Sequence, residues 1–276
     1  MIIVKGTKLD PAELKNAYAD KSVQMQLLSK MSESMSSYQY DNLGRLEFEL
    51  TLRNEIVNAS YALNKSRLNF AGFHDTRCND EYWQRTANGG FSLKAGANPA
   101  KAINDIYESG EKYATECATA MMIVYYKALV EVFGEARFNK IFSKIYLMNW
   151  EVREPLLKGV GSPKKASDIL LGDRGYFANP DVNPQTPQWQ GENVIVLPNY
   201  LYYGHGIGLT SADKIIKALN SNRKRGAANS AYFMDAVGRP DFKALSKIYD
   251  SKAEEAAAVS DMSTLVWKPF PKPLRG

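Results

Sequence analysis

Histidine and cysteine are scarce in this chain, with two of each in 276 residues. Two cysteines in a chain this long build no disulfide framework, so a reducing compartment is the default expectation. The signatures of metal and nucleotide chemistry are missing as well: there is no CxxC, no HExxH, no G-x-x-x-x-G-K-S/T and no G-x-G-x-x-G. Neither chemistry has an anchor, and no metal or cofactor is expected. Long apolar runs are absent too. The longest, AMMIVYY at 120–126, falls far short of the roughly 20 residues needed to span a bilayer. The opening MIIVKGTKLD places four apolar residues before a lysine, well below the apolar region of a signal peptide. No repeat recurs at a fixed period. The expectation is an intracellular soluble protein with no membrane partner.

What is present is an ordinary globular composition, 45% hydrophobic and 24% charged, in a chain long enough to bury a substantial core. The 16 Tyr, 11 Phe and 4 Trp suit an aromatic-lined cleft. A net charge of +5 is mildly basic. The compact basic run SNRKRGA at 221–227 is expected to be solvated surface, not a nucleic-acid contact, because no recognition module accompanies it.

Three stretches divide the chain. Residues 1–99 read mainly as helix packed on a core: one helix opened by Pro11, and a second over YDNLGRLEFELTLRNEIVNASYALNKS. In the second, Leu46, Leu50, Val57 and Tyr61 form one stripe, Leu52, Ile56 and Leu63 an adjacent one, and Asp41 can cap the start. The polar, Gly-rich segment 74–99 reads as loop with a short strand or two. Residues 100–250 start with helices at 99–109, 113–133 and 136–145. Strand-like runs follow at IYLMNW, RGYF, NVIVL and YLYYGHGIGL, then a helix capped by Thr210 or Ser211, and finally SAYFMDA as strand and PDFKALSKIY as helix. Helices followed by short antiparallel strands make an α+β pattern. Residues 251–276, Ala-rich and then carrying KPFPKPLRG, read as an extended or mobile tail that Trp267 could pin.

The candidate chemistry begins with Cys117. It lies in the opening turns of an apolar helix if Thr115 is the cap, where the positive end of the helix dipole favours a thiolate; a buried, inert cysteine is the competing reading. A nucleophilic cysteine needs a base and an orienting partner. His74 sits in a polar loop and reads as solvated. His205 is flanked by glycines within a strand-like run, a place where something approaches the backbone closely. Glu192 heads the apolar strand WQGENVIVL, an odd position for a carboxylate unless it is paired or exposed at the strand end. A helix bearing Cys117, a strand headed by Glu192 and a next strand bearing His205 form a papain-like layout. Cys78, in DTRCND, reads as an oxidisable loop thiol without a catalytic role.

The stretches AxECATAxxIxYYxAL around Cys117, LLGDxxYFxNP at 170–180, QWxGENVIxL at 188–197, YxHGxG around His205 and NSxRKxGAxxSAY at 220–232 belong together. As a set, these stretches resemble the spore-coat protein-glutamine gamma-glutamyltransferases of spore-forming bacilli, from the MIIV opening to about residue 250. The resemblance implies a calcium-independent transglutaminase on an NlpC-type, papain-like core with added N-terminal helices. On it Cys117 is the nucleophile, Glu192 takes the position where relatives of the fold place a histidine base, and His205 takes the third position. Glu116 is a possible helper to the base. Trp150, Trp189 and Phe70 are candidates for a cleft lining that covers a lysine stem and excludes water. The expected reaction joins protein glutamine to protein lysine through a thioester and releases ammonia. Coat proteins are the implied substrates, the mother-cell cytoplasm and spore coat the implied location, and a monomer the expected state. The competing expectations are a cysteine peptidase or amidase acting on cell-wall peptides, and a non-catalytic coat protein that merely buries Cys117.

Overall fold

The computed structural model describes residues 1–14 and 16–250. The expected tail at 251–276, with Trp267, lies outside the described residues.

The first residues depart from the helical expectation. Strands β1 (Ile2–Val4) and β2 (Thr7–Lys8) form a hairpin whose turn, Lys5-Gly6, takes positive φ at both positions (50° and 78°). That is the two-residue geometry matching strand twist, and Gly6 makes it accessible. The helix expected from Pro11 is broken. A single 3-10 turn covers Pro11–Leu14, and α1 (Val23–Glu33) begins afresh where the Ser22 hydroxyl accepts the Met25 N–H at 3.2 Å. β3 (Tyr38–Tyr40) adds in parallel to β1.

Helix α2 (Leu43–Lys65) carries the predicted stripes, all buried apart from a half-exposed Tyr61. Its cap is Asn42, not Asp41: the Asn42 side chain accepts the Arg45 N–H, whereas Asp41 pairs with the Arg45 guanidinium. β4 (Asn69–Phe70), β5 (Trp83–Arg85) and β6 (Phe91–Leu93) follow, the last two within the segment expected to be mostly loop. In that segment Cys78 is half-buried against the main core, and burial pushes its thiol up to about 11. It is therefore a packed thiol, less reactive than expected.

α3 (Pro99–Glu108) precedes β7 (Ala114–Thr115), which pairs in parallel with β4. Then comes α4 (Cys117–Phe133), buried on nearly every face, which explains its unbroken apolar composition. α2, α3 and α5 (Glu135–Ile141) pack around it. β8 (Tyr146–Leu147), the short α6 (Lys158–Gly161) and β9 (Lys164–Lys165) lead into the main sheet.

That sheet is antiparallel, in the order β13-β12-β11-β10-β14. It is built from β10 (Arg174–Ala178), β11 (Gly191–Val196), β12 (Leu201–Gly204), β13 (Gly208–Ser211) and, after α7 (Ala212–Asn220), β14 (Tyr232–Phe233). β15 (Ala236–Val237) pairs with β9, and residues 242–250 are helical. The run YLYYGHGIGL is thus a hairpin and not one strand. His205 opens its turn, where Gly206 and Gly208 supply φ of 103° and 76°. The architecture is mixed α and β, with α4 laid against β11 at the middle of the sheet. One buried cluster runs from Phe48 on α2 through α4 to Leu245.

Beneath this cluster sits a buried ion network. Asp173, fully buried, receives Arg53 at 2.8 Å and Arg239 at 2.7 Å, while Arg53 also donates to Glu49 at 2.9 Å. It ties α2, the turn before β10 and the segment after β15 together. Among the basic residues at 221–227, Lys224 pairs with Asp181 at 3.0 Å and Arg223 donates to the Asn220 and Asn229 carbonyls. The run folds onto its own turn. Among the described residues no helix is long and apolar enough to cross a membrane, and no group of three or more His, Cys, Asp or Glu could hold a metal ion.

Candidate active site

The chain leaves β7 extended and turns into α4 at Cys117, so the thiol stands on the first helical residue. The cap is one residue later than expected, because Ala114 and Thr115 are committed to pairing with Asn69 and Phe70. Glu116 takes the place: its carboxylate accepts the Ala118 N–H at 2.5 Å and the Thr119 N–H at 2.8 Å. Ser, Thr, Asp and Asn are the usual residues here. Both Glu116 oxygens are therefore occupied. Burial raises its pKa, against the pull of those donors.

The Cys117 thiol is pushed up to about 11, first by burial and then by the Glu192 and Glu116 carboxylates. Asn193 works in the opposite direction, donating from Nδ2 to Sγ at 3.2 Å. The helix dipole that would favour a thiolate is thus offset by the charge of its own cap.

Glu192 lies inside the sheet on β11, paired with Phe177, and is only 9% exposed. A surface strand-end carboxylate is excluded. Its Oε1 has no hydrogen-bond partner among the described residues, and burial together with Glu116 lifts its pKa to about 8. Gly204 makes room for it. A Cβ at Gly204 would lie 2.6 Å from Glu192 Oε1 and 2.8 Å from an Ile207 methyl, so any larger residue there would displace the carboxylate from its present position.

His205 is also buried, but its bonds lead elsewhere. Nε2 lies 3.2 Å from the Asn69 carbonyl, which can only accept, so Nε2 carries the proton and Nδ1 is left to accept from the Tyr203 hydroxyl at 3.5 Å. Burial pushes its pKa down to about 4, leaving a neutral ring at neutral pH. The Phe70 ring lies 5.9 Å away, centre to centre.

Cys117, Glu116 and Asn193 face a cleft of about 840 Å³ whose wall also includes Phe70, Trp150 and Arg174. Two of the three aromatic residues expected in the lining are there. Trp189 is not: it ends a 3-10 turn and packs behind the wall against the cluster of Phe177, Val194, Ile215 and Leu219, while its neighbours Gln188 and Gln190 face the cleft. Its place between two polar residues, Gln188 and Gln190, was the available signal. Sequence reasoning missed Asn193 and Arg174. Asn193 follows Glu192 directly, and a polar pair opening an otherwise apolar strand points to both residues. Arg174 sits in the quoted LLGDRGYF stretch, but nothing in its spacing sets it apart from a surface arginine.

The protein-glutamine gamma-glutamyltransferase family matches residues 1–249 of this chain. A protein-glutamine gamma-glutamyltransferase of Bacillus subtilis strain 168 is 41% identical over 249 residues, covering 90% of this chain and 99% of the relative. That of Bacillus cereus strain AH187 is 39% identical over 246 residues, 89% of this chain and 88% of the relative. Among solved structures, a transglutaminase from Geobacillus stearothermophilus without its C-terminal extension superposes with a TM-score of 0.70 at 47% identity, over 75% of this chain and 98% of the other. With a match along nine-tenths of its length and a like-folded, 47% identical neighbour, the chain with this thiol-and-carboxylate cleft belongs to the protein-glutamine gamma-glutamyltransferase family.

Proposed function

We propose that the protein is a transglutaminase that joins glutamine and lysine side chains of proteins, with Cys117 as nucleophile and Glu192 as the group that moves protons. The observation that carries this reading is a half-buried thiol on the first residue of α4, facing the cleft and held by Asn193 at 3.2 Å, with the buried Glu192 carboxylate beside Asn193 on β11 lifted to about 8. His205 is neutral and hydrogen-bonded away from the sulfur, so no thiolate–imidazolium pair supports the attack.

The steps balance on that one carboxylate. Ionised Glu192 takes the Cys117 proton as sulfur attacks the γ-carboxamide carbon, and the protonated acid then gives that proton to the departing nitrogen, releasing ammonia. The ionised carboxylate left behind draws a proton from the incoming lysine amine as it attacks the thioester. The isopeptide forms, and the proton returns to sulfur. Water in place of the amine would give glutamate, and Phe70 and Trp150 in the cleft wall serve to exclude it. Glu116, with both oxygens held by helix amides, acts as a cap and as a charge that raises Glu192, and not as a second base. The fold is read as papain-like in its placing of a nucleophile-bearing helix against an antiparallel sheet. We read the reaction as independent of calcium, and the spore coat as its setting, since the named relatives are from Bacillus.

The test is intact-mass analysis after mixing with a glutamine-containing donor and no amine. A mass gain equal to the donor less ammonia, absent in Cys117→Ala, is expected, followed by transfer to a fluorescent primary amine. Hydrolysis of the donor with no amine incorporation at any amine concentration would refute the reading. His205 gives a second expectation. His205→Asn should slow transfer by roughly tenfold, whereas loss of the nucleophile costs on the order of a thousandfold or more. Equal losses would make the imidazole the base.

A further inference from the structure

Arg174 is the cation in the cleft that nothing in the reaction above employs. It is 5% exposed, yet it has no carboxylate partner and its Nε has no hydrogen-bond partner among the described residues. One face of its guanidinium lies over the Trp150 ring, 4.2 Å from the ring centre. The two nearest arginines of the buried network, Arg53 and Arg239, both spend their charge on Asp173, the residue immediately before Arg174 in the chain. Taking a cation out of water without a counter-charge is costly, and such groups are ordinarily paired or bound to a ligand. Burial accordingly lowers its pKa, while the Cys117 sulfur, when charged, acts to raise it; the two side chains share one cleft.

The geometry assigns this side chain a substrate role. We propose that Arg174, held flat against Trp150, is a subsite for a carboxylate of the acyl donor, an Asp or Glu side chain within a few residues of the reactive glutamine. The indole takes one face of the guanidinium plane and leaves its N–H edge free, and that edge matches a carboxylate in a two-bond fork. A neutral peptide carbonyl would leave the buried charge uncompensated. The lysine acceptor is excluded from this spot by like charge, so the subsite belongs to the donor side of the cleft. The inference rests on the transglutaminase reading for the word donor, but the carboxylate site itself can be measured without turnover.

The experiment uses labelled peptides with one central glutamine and either Asp or Asn placed in turn at each of the three positions on either side. Binding to the full chain carrying Cys117→Ala is read by fluorescence anisotropy, and amine incorporation by the wild-type protein is followed in parallel. For at least one position the Asp peptide is expected to bind roughly tenfold or more tightly than its Asn twin. Arg174→Gln on the same background should bring that ratio to about one, and Arg174→Lys, which keeps charge but loses the fork and the stack, should leave it in between. Because each protein is compared with itself across twin peptides, a general loss of packing cancels from the ratio. An Asp/Asn ratio near one at every position, or a ratio unchanged in Arg174→Gln, overturns the subsite; if neither variant folds, the first of these readings decides alone. Absence of amine incorporation with the binding ratio intact would instead count against the transglutaminase reading.

Discussion

Glu192→Gln is expected to lower amine incorporation by roughly a thousandfold while raising the melting temperature at alkaline pH. The first effect follows from the role proposed for Glu192 as the proton carrier of the reaction, a role worth about two to four orders of magnitude. The second follows from linkage. A carboxyl normally near 4.5 is held at about 8 in the fold, chiefly by burial and then by Glu116. Between those two values the folded protein binds the proton that the unfolded chain has released, so stability falls as pH rises through that window and the full cost is reached above pH 8. Glutamine cannot ionise and escapes the cost, which is on the order of 5 kcal/mol. For a chain of this size that corresponds to roughly 10 °C. Calorimetry of both proteins at pH 5 and pH 9 checks it: the gain should be present at pH 9 and nearly absent at pH 5. Wild-type rates in the variant would place the base elsewhere. An equal gain at both pH values would mean that the carboxylate's charge is not its source. The wild-type rate itself should climb as pH rises toward 8, as Glu192 becomes able to accept the thiol proton.

Asp173→Ala is expected to be the most damaging substitution for stability, at about 3–5 kcal/mol. Its carboxylate is fully buried and holds both Arg53, itself only 1% exposed, and Arg239. Removing it leaves Arg53 with Glu49 and the Leu171 carbonyl, and leaves Arg239 with the Asp168 carbonyl and no carboxylate partner among the described residues. The melting temperature should drop by roughly 10 °C or more. Asp173→Asn, which keeps shape and loses charge, should recover only part of this. A fall of under 2 °C in the alanine variant would show that the network is not what joins α2 to the segment after β15. The effect reaches the cleft, since Asp173 and Arg174 are consecutive and the Arg174 backbone exchanges hydrogen bonds with Gly238.

How legible all this was in the sequence differs from element to element. Helices α2, α3 and α4 were readable because each carries a sustained apolar pattern. The helix expected from Pro11 was not one helix, because its restart at Ser22 depends on local backbone chemistry, and the positive-φ turn at Lys5-Gly6 ahead of it carries no periodic signal. The hairpin at His205 was hidden because its glycines read as a close backbone approach within one strand, whereas Gly206 and Gly208 supply the positive φ of a turn. In the site, Cys117 and Glu192 stood out as chemically odd for their surroundings, a thiol opening an apolar helix and a carboxylate heading an apolar strand. What spacing could not supply was direction. Which way the His205 ring nitrogens point, where Trp189 packs and which amides Glu116 engages are set by pairings between residues far apart in sequence, such as β4 with β7.

The cap on α4 has one more consequence. Oxidants and alkylating agents attack the thiolate and spare the thiol. By setting a carboxylate over the end of the helix that would otherwise draw the proton off Cys117, the chain opposes a standing thiolate at that sulfur. The resting sulfur is accordingly expected to be alkylated and oxidised more slowly at neutral pH than a cysteine at a helix end with no such cap.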